Sequence, residues 1–488
     1  MSWKDRAAWE RLPLLIVWSA AIGYAGVASY FSLLKHDNYF SSFDLANFDQ
    51  ALWLVAHGHE PFITQHGRHF LGDHFSPSMF LLAPIYVFGG GVGALLVLQS
   101  MLVALTAPLL FALGRVRGAS EWLALLPAAL WLASPLTLTQ NLDDVHHAPI
   151  AAPFIVGSIL ALLHNRLLLF AVAGLIACSF KEDISLTYIM LGVVVLLEGR
   201  RRLGIAIASA ATCVFAFVVF VFLPLFNNSL DSFAKRFAGE RGDSVADVAL
   251  WIVRNPIAAL GDLATFQNLF VVAALVVTTG CLCLLSPRWM LLAVPALAHN
   301  LLSALPEQHM LRFHYWFPVM LALSLAGAVG VSRLSLIRLP ATRRVLAVTV
   351  SVGLALFPVG VVYAGTLSTW SQDATRNVGG AEARRAALEL IPDGIPVAAS
   401  VRLTPHLSQR TEIYTLPVPF VAVDYYGLTV GQLRQRAHRV SYVVLDTMDR
   451  PKEFRATAEV LPPLLARSGF REIGRFGSVR VYARARST

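Results

Sequence analysis

Charge is scarce in this chain. Of 488 residues only 14% are Asp, Glu, Lys or Arg, while 56% are hydrophobic. A soluble domain carries about 25% charged residues, so the composition excludes an ordinary soluble enzyme and points to an α-helical polytopic membrane protein. Cysteine is scarce as well. The four, Cys178, Cys213, Cys281 and Cys283, all fall in apolar segments. No disulfide framework and no thiol nucleophile follow, and Cys281 and Cys283 form CxC, not CxxC. No GxGxxG opens a helix after a strand, which removes a dinucleotide site. No internal repeat is visible, and no small-residue cleavage site follows the short basic start at residues 1–11. The first apolar run is therefore expected to remain as a signal anchor.

The net charge is +9, spread over short loops and a tail. That pattern sets membrane orientation and meets anionic headgroups; it does not suggest nucleic acid. A span needs about 20 apolar residues. The runs that qualify are 13–34, 91–113, 120–138, 148–164, 167–180, 184–198, 203–226, 266–286, 289–305, 314–331 and 345–366, with 167–180 and 184–198 short. Segment 76–88 is apolar but interrupted by Pro77 and Pro84, and reads as re-entrant or interfacial. Arg115, Arg117, Arg200, Arg201, Arg202, Arg333, Arg338, Arg343 and Arg344 fall in alternate loops, which the arginine bias assigns to the cytoplasm. Eleven spans then place the N-terminus inside and residues 368–488 outside. Within that tail, 381–390 and 454–468 read as helices. Residues 397–400, 412–416 and 442–446 read as short buried strands, and 472–476 with 478–483 as a hairpin about Gly477. This is a small extracytoplasmic α/β domain.

Nearly every acidic residue and histidine of the membrane part falls in the opposite, outward loops. The first loop (35–75) contains FDLANFDQALW, an amphipathic stretch with Asp44 and Asp49 five residues apart, or about 140° on a helix. Ser41, Ser42 or Asp44 caps that helix, so Asp44 is either a helix cap or a general base toward an acceptor hydroxyl. Asp73 and His74 follow before Pro77. Asp73 either caps the next segment or anchors a polar ligand, and His74 either meets a phosphate oxygen or orients a carboxylate. The second loop holds Asp143-Asp144-Val145-His146-His147. With Asp44 these either form a divalent cation site (Mg or Mn) or are hydrogen-bonded residues at a helix start. Nothing in the sequence requires a cofactor. Lys181-Glu182-Asp183 lies where two short spans meet, and is either a self-neutralising turn or a phosphate contact. Arg312 and His314 precede the tenth span. Arg312 either snorkels to headgroups or grips a phosphate.

FDLANFDQALW, GDHFSP followed by LLAPIY, DDVHHAPIAAPF and KED resemble the DUF2079 family of predicted polytopic membrane proteins, as do VAAS, TPHLSQR and EIYTLP in the tail. The family's aromatic-His pair in the second loop matches either His146 or His147. The architecture is similar to that of the GT-C superfamily of integral membrane glycosyltransferases. The resemblance implies that Asp44 or Asp49 holds the acidic catalytic position. It implies a polyprenyl-phosphate-linked sugar as donor, and a glycan, lipid or protein as acceptor, at the outer face of the cell membrane. Asp73, His74, His146, His147, Lys181, Glu182, Asp183, Arg312 and His314 are then the expected substrate contacts. Two other classes compete: a transporter or flippase of lipid-linked saccharides, which should bury ionisable groups near the midplane on repeated halves, and a non-catalytic scaffold whose tail binds envelope glycan.

Overall fold

The structure is a computed structural model that describes residues 3–226, 245–335, 378–421, 429–448 and 455–485. It falls into two compact units. One is drawn from 1–29, 74–78 and 97–366, the other from 30–73, 79–96 and 367–488. The boundary expected near 367 lies outside the described residues. The first loop groups with the unit that contains the tail.

The first unit is a set of apolar helices. Their outward faces stay greasy: Leu168 is 80% exposed, and Phe220 and Leu225 are more than two-thirds exposed. In water such faces would drive aggregation; against lipid they cost nothing. Phe317–Gly330, by contrast, is buried along most of its length, as a central helix should be. Among the described residues, four helices are long and apolar enough to cross a membrane: Arg11–Asp37, Gly91–Val116, Arg201–Phe226 and His314–Leu334. The number is six if each of two bent pairs is one span. His147–Leu163, Leu167–Cys178 and Ile184–Leu197 are shorter apolar helices. The eleven runs expected from hydropathy are thus not eleven unbroken helices, and the run 345–366 lies outside the described residues.

The breaks have local causes. The run 120–138 bends by 47° between Glu121–Ala133 and Pro135–Asn141, where Ser134 caps the second helix by accepting from the Thr137 amide and Pro135 takes its first position. The run 266–286 stops at Thr278 because Gly280 and Cys281 both adopt positive φ. Segment 76–88 forms a six-residue 3-10 turn, Pro77–Leu82, and the short helix Pro84–Val87, in keeping with a piece too short to cross.

The second unit includes the loop helix Phe43–Ala56 and a two-residue hairpin of strands β1 (Phe62–Ile63) and β2 (Arg68–His69). It also includes a five-stranded sheet of β3 (Val397–Ala399), β4 (Ile413–Thr415), β5 (Tyr442–Asp446), β6 (Phe470–Phe476) and β7 (Val479–Arg484), in the order β4-β3-β5-β7-β6. β4, β3 and β5 are parallel; β7 runs antiparallel to β5 and to β6. The parallel strands read as unbroken apolar runs because both faces are covered. One face packs on Ala381, Ala387 and Tyr39, the other on Leu433, Leu461 and Leu465. The tail also holds the helix Val430–Arg439, beyond the elements expected from its sequence. It opens with a capping box, Thr429 and Gln432.

In the first unit, Ile184–Leu197 and Arg201–Phe217 pack backbone to backbone through two glycines. A Cβ on Gly204 would stand 2.5 Å from the Leu196 nitrogen and 2.6 Å from the Gly192 carbonyl oxygen. Small residues at such crossings are what let helices approach closely in lipid. We expect Gly204→Ala to force the hairpin apart and cost about 1–3 kcal/mol. A melting temperature equal to wild type in detergent would contradict this close packing.

Candidate functional site

Two groups of polar residues stand out, one in each unit. In the first unit, the turn at 181–183 joins two short apolar helices, so its charges must be neutralised locally. Lys181 Nζ lies 2.9 Å from Asp183 Oδ2. Glu182 turns the other way: His74 Nδ1 lies 2.8 Å from its Oε1, and the Phe75 amide donates to its Oε2 at 3.1 Å. Burial works to raise the Glu182 pKa, but His74 and then Lys181 outweigh it and hold the carboxyl well below its usual range. The His147 ring meets that of His74 edge-on, 5.3 Å between centroids.

Beside it, His146 stacks on His314, 3.4 Å between ring centroids at 23°. The Asp143 Oδ2 atom accepts from the His314 backbone amide at 3.0 Å and lies 3.0 Å from the same residue's Nδ1. It is 3.7 Å from His146 Nε2, which donates to the Asp143 carbonyl at 2.6 Å. Burial, then the neighbouring His314, push the His146 pKa down to about 3. Gln99, buried on the helix Gly91–Val116, holds this loop in place. Its Oε1 accepts from the His146 amide at 2.8 Å, and its Nε2 donates to the Asn141 and Asp144 carbonyls at 2.9 and 2.7 Å. Gln140 Nε2 reaches the Leu311 carbonyl at 2.9 Å, tying the loop to the segment that carries His314. Arg312 is exposed, its guanidinium carbon 4.6 Å above the Phe313 ring.

In the second unit, the helix Phe43–Ala56 carries both candidate aspartates. Ser42 occupies the N-cap position, so Asp44 lies in the first turn, where its charge suits the helix dipole. It is half-buried. Asp49 is fully buried. Its carboxylate accepts from Tyr86 Oη at 2.7 Å, Ser408 Oγ at 2.5 Å and Gln409 Nε2 at 3.3 Å. Burial pushes its pKa up to about 6, more than the three donors lower it. Next to it, Gln50 Nε2 donates to Thr64 Oγ1 and to the Arg410 carbonyl, and Thr64 Oγ1 donates to the Ile413 carbonyl at 2.6 Å. Asp73 faces His66 at 3.6 Å, and His66 meets Asn47 at 3.1 Å.

A family profile described as "Predicted membrane protein (DUF2079)" matches residues 35–462. The chain belongs to the DUF2079 family. Two crystal structures of ArnT from Cupriavidus metallidurans share its fold. The one bound to undecaprenyl phosphate has a TM-score of 0.55 at 15% identity, over 96% of this chain and 98% of that one. The apo state has a TM-score of 0.51 at 14% identity, over 96% and 99%. At such identity the likeness shows the fold: an ArnT-like helical membrane protein with a small C-terminal sheet. No curated protein matches.

Within the first unit of this DUF2079 chain, seven sequence-selected residues gather: His74, His146, His147, Lys181, Glu182, Asp183 and His314. Asp44, Asp49 and Asp73 belong to the second. The reading of site residues passed over Gln99 and His66. Gln99 left a signal, being a lone amide inside an apolar run, where polar side chains turn inward to bond. His66 left none.

Asp49 gives a pH prediction. Its folded pKa of about 6 exceeds the free value of 3.8, so the folded chain holds this proton more tightly. The stabilisation is complete below pH 4 and is lost as pH rises through 6, an effect of about 3 kcal/mol at most. Thermal melts from pH 4 to 7 should show wild type losing stability over this window, with Asp49→Asn showing a flatter profile. Identical profiles would contradict a buried titrating carboxyl.

Proposed function

We propose that the protein is a GT-C-type glycosyltransferase. It moves a sugar from a polyprenyl-phosphate-linked donor to an acceptor hydroxyl at the outer face of the membrane. The observation that carries the reading is the fold: nearly the whole chain matches nearly the whole of ArnT, a GT-C glycosyltransferase whose crystal structure holds undecaprenyl phosphate. The arginine-rich loops supply the sidedness, and with it an outward C-terminal domain.

The chemistry follows from the residues. The acceptor O–H bond must lose its proton as oxygen attacks the anomeric carbon, and the bond from that carbon to the donor phosphate must break. Asp44 is the base we assign. It is half-buried at the start of the loop helix and so able to meet substrate, whereas Asp49 is enclosed and spends its carboxylate on Tyr86, Ser408 and Gln409. The leaving polyprenyl phosphate carries off the electron pair, and cationic side chains stabilise it best. Lys181 and Arg312 are the cations we assign to that role. Asp73, paired with His66, steadies the first loop.

The test is transfer by purified protein in liposomes containing polyprenyl-phosphate sugars and an envelope extract as acceptor. Asp44→Asn should cut turnover by about 10²–10⁴-fold while leaving the melting temperature and polyprenyl phosphate binding near wild type. Normal turnover in that variant would remove Asp44 from the chemistry. Wild-type envelope glycans in a strain lacking the protein would count against the enzyme itself.

A further inference from the structure

Three side chains in the first unit bring groups able to ligate a metal close together. Asp143, His146 and His314 each offer one ligand atom, and the three atoms lie within 4.8 Å of one another. In a tetrahedral site with metal–ligand bonds of about 2.0–2.1 Å, ligand atoms stand roughly 3.3 Å apart. The Asp143 Oδ2 atom is 3.0 Å from His314 Nδ1 and 3.7 Å from His146 Nε2, which brackets that spacing; to ligate through Nε2, His146 exchanges its hydrogen bond to the Asp143 carbonyl for the ion. We propose that Asp143, His146 and His314 form a transition-metal site of the Zn²⁺ class.

The donor set decides the class. Two imidazoles and one carboxylate suit Zn²⁺ and its neighbours, whereas Mg²⁺ and Ca²⁺ take oxygen ligands almost throughout. This replaces the oxygen-rich set suggested by the string Asp143-Asp144-His146-His147 together with Asp44. The backbone of Asp144 has φ of +69° and its carbonyl is held by Gln99. His147 turns to His74 instead. The missing ligand comes from 171 residues away along the chain, His314.

The surroundings are built as metal sites require, with partners that fix the ligands. Gln99 clamps the backbone on both sides of the second loop, at Asn141 and Asp144 and at the His146 amide. Gln140 bonds the carbonyl of Leu311, three residues before His314. The two loops are thereby held in register before any ion arrives. Three protein ligands leave the fourth position of a tetrahedral ion open, the arrangement of a catalytic rather than a structural zinc site. That position would accept a phosphate oxygen. The ion site stands on geometry alone; the phosphate oxygen rests on the function proposed above.

The experiment uses the full chain in detergent, stripped with chelator and titrated with ZnCl₂ by calorimetry, with metal content measured by mass spectrometry. We expect one equivalent per chain, not displaced by excess MgCl₂. His146→Gln and His314→Gln should each weaken binding at least about tenfold, while His164→Ala, an exposed histidine elsewhere, should not. Melts of the chelated proteins check folding, and the glutamines keep a polar group in each ring's place. Only substoichiometric zinc, or full binding by the double His146→Gln/His314→Gln variant, would overturn the site. In a second arm, Zn²⁺ should tighten binding of a short-chain polyprenyl phosphate in wild type and not in His314→Gln. No zinc effect there would overturn the phosphate role. Zinc binding with no transfer on any donor would sink the transferase and leave the ion site standing.

Discussion

An ionisable side chain at membrane depth cannot stand alone. Desolvating a charge costs several kcal/mol unless a partner restores what water supplied, and that constraint organises the first unit. Glu182 is largely withdrawn from solvent, and both its oxygens are taken, one by His74 and one by the Phe75 amide. Asp143 is met by His314 through both amide and ring. Even the uncharged Gln99 spends both ends of its amide. The same requirement that pairs these groups also gathers them, because each one's partner sits on another loop. A polar cluster among apolar helices is thus both a structural necessity and a ready ligand site.

The same helix separates two aspartates that look equivalent in sequence. Asp44 and Asp49 both sit in FDLANFDQALW, and their spacing puts them on different faces of Phe43–Ala56. One face holds Asp49 and Gln50 against residues 408–411 of the same unit. Three donors around one buried carboxylate make a fixing point, and a group so enclosed is poorly placed to collect a proton from substrate. Asp44 sits one and a half turns earlier and keeps part of its surface. Assigning the base to Asp44 therefore leaves Asp49 a distinct task, holding the helix that carries it.

How much of this the sequence revealed depended on range. Short-range signals read well. The strand 442–446 was placed to the residue, and the hairpin about Gly477 to within two, because apolar runs and a positive-φ glycine act locally. The Thr429–Gln432 capping box is an equally local signal. Hydropathy alone does not show where the apolar runs bend. It registers that 120–138 and 266–286 are greasy, while Ser134-Pro135 and Gly280-Cys281 break the helices inside them. The DUF2079 motifs named the residues around the site, yet no spacing along the chain links Asp143 to His314.

That last gap has a physical origin. Ligands on one helix advertise themselves through a fixed period, as in HxxxH, because the helix supplies the geometry. Here the geometry comes from amide clamps instead: Gln99 on the loop that holds His146, and Gln140 reaching toward the segment that holds His314. Neither glutamine belongs to a chemical motif. They set the distance between the two imidazoles all the same, since a loop anchored at three backbone atoms has little freedom to shift. The site is legible only when the polar residues inside apolar runs are read as positioning groups, and the lone Gln99 between Leu98 and Ser100 is the point from which that reading starts.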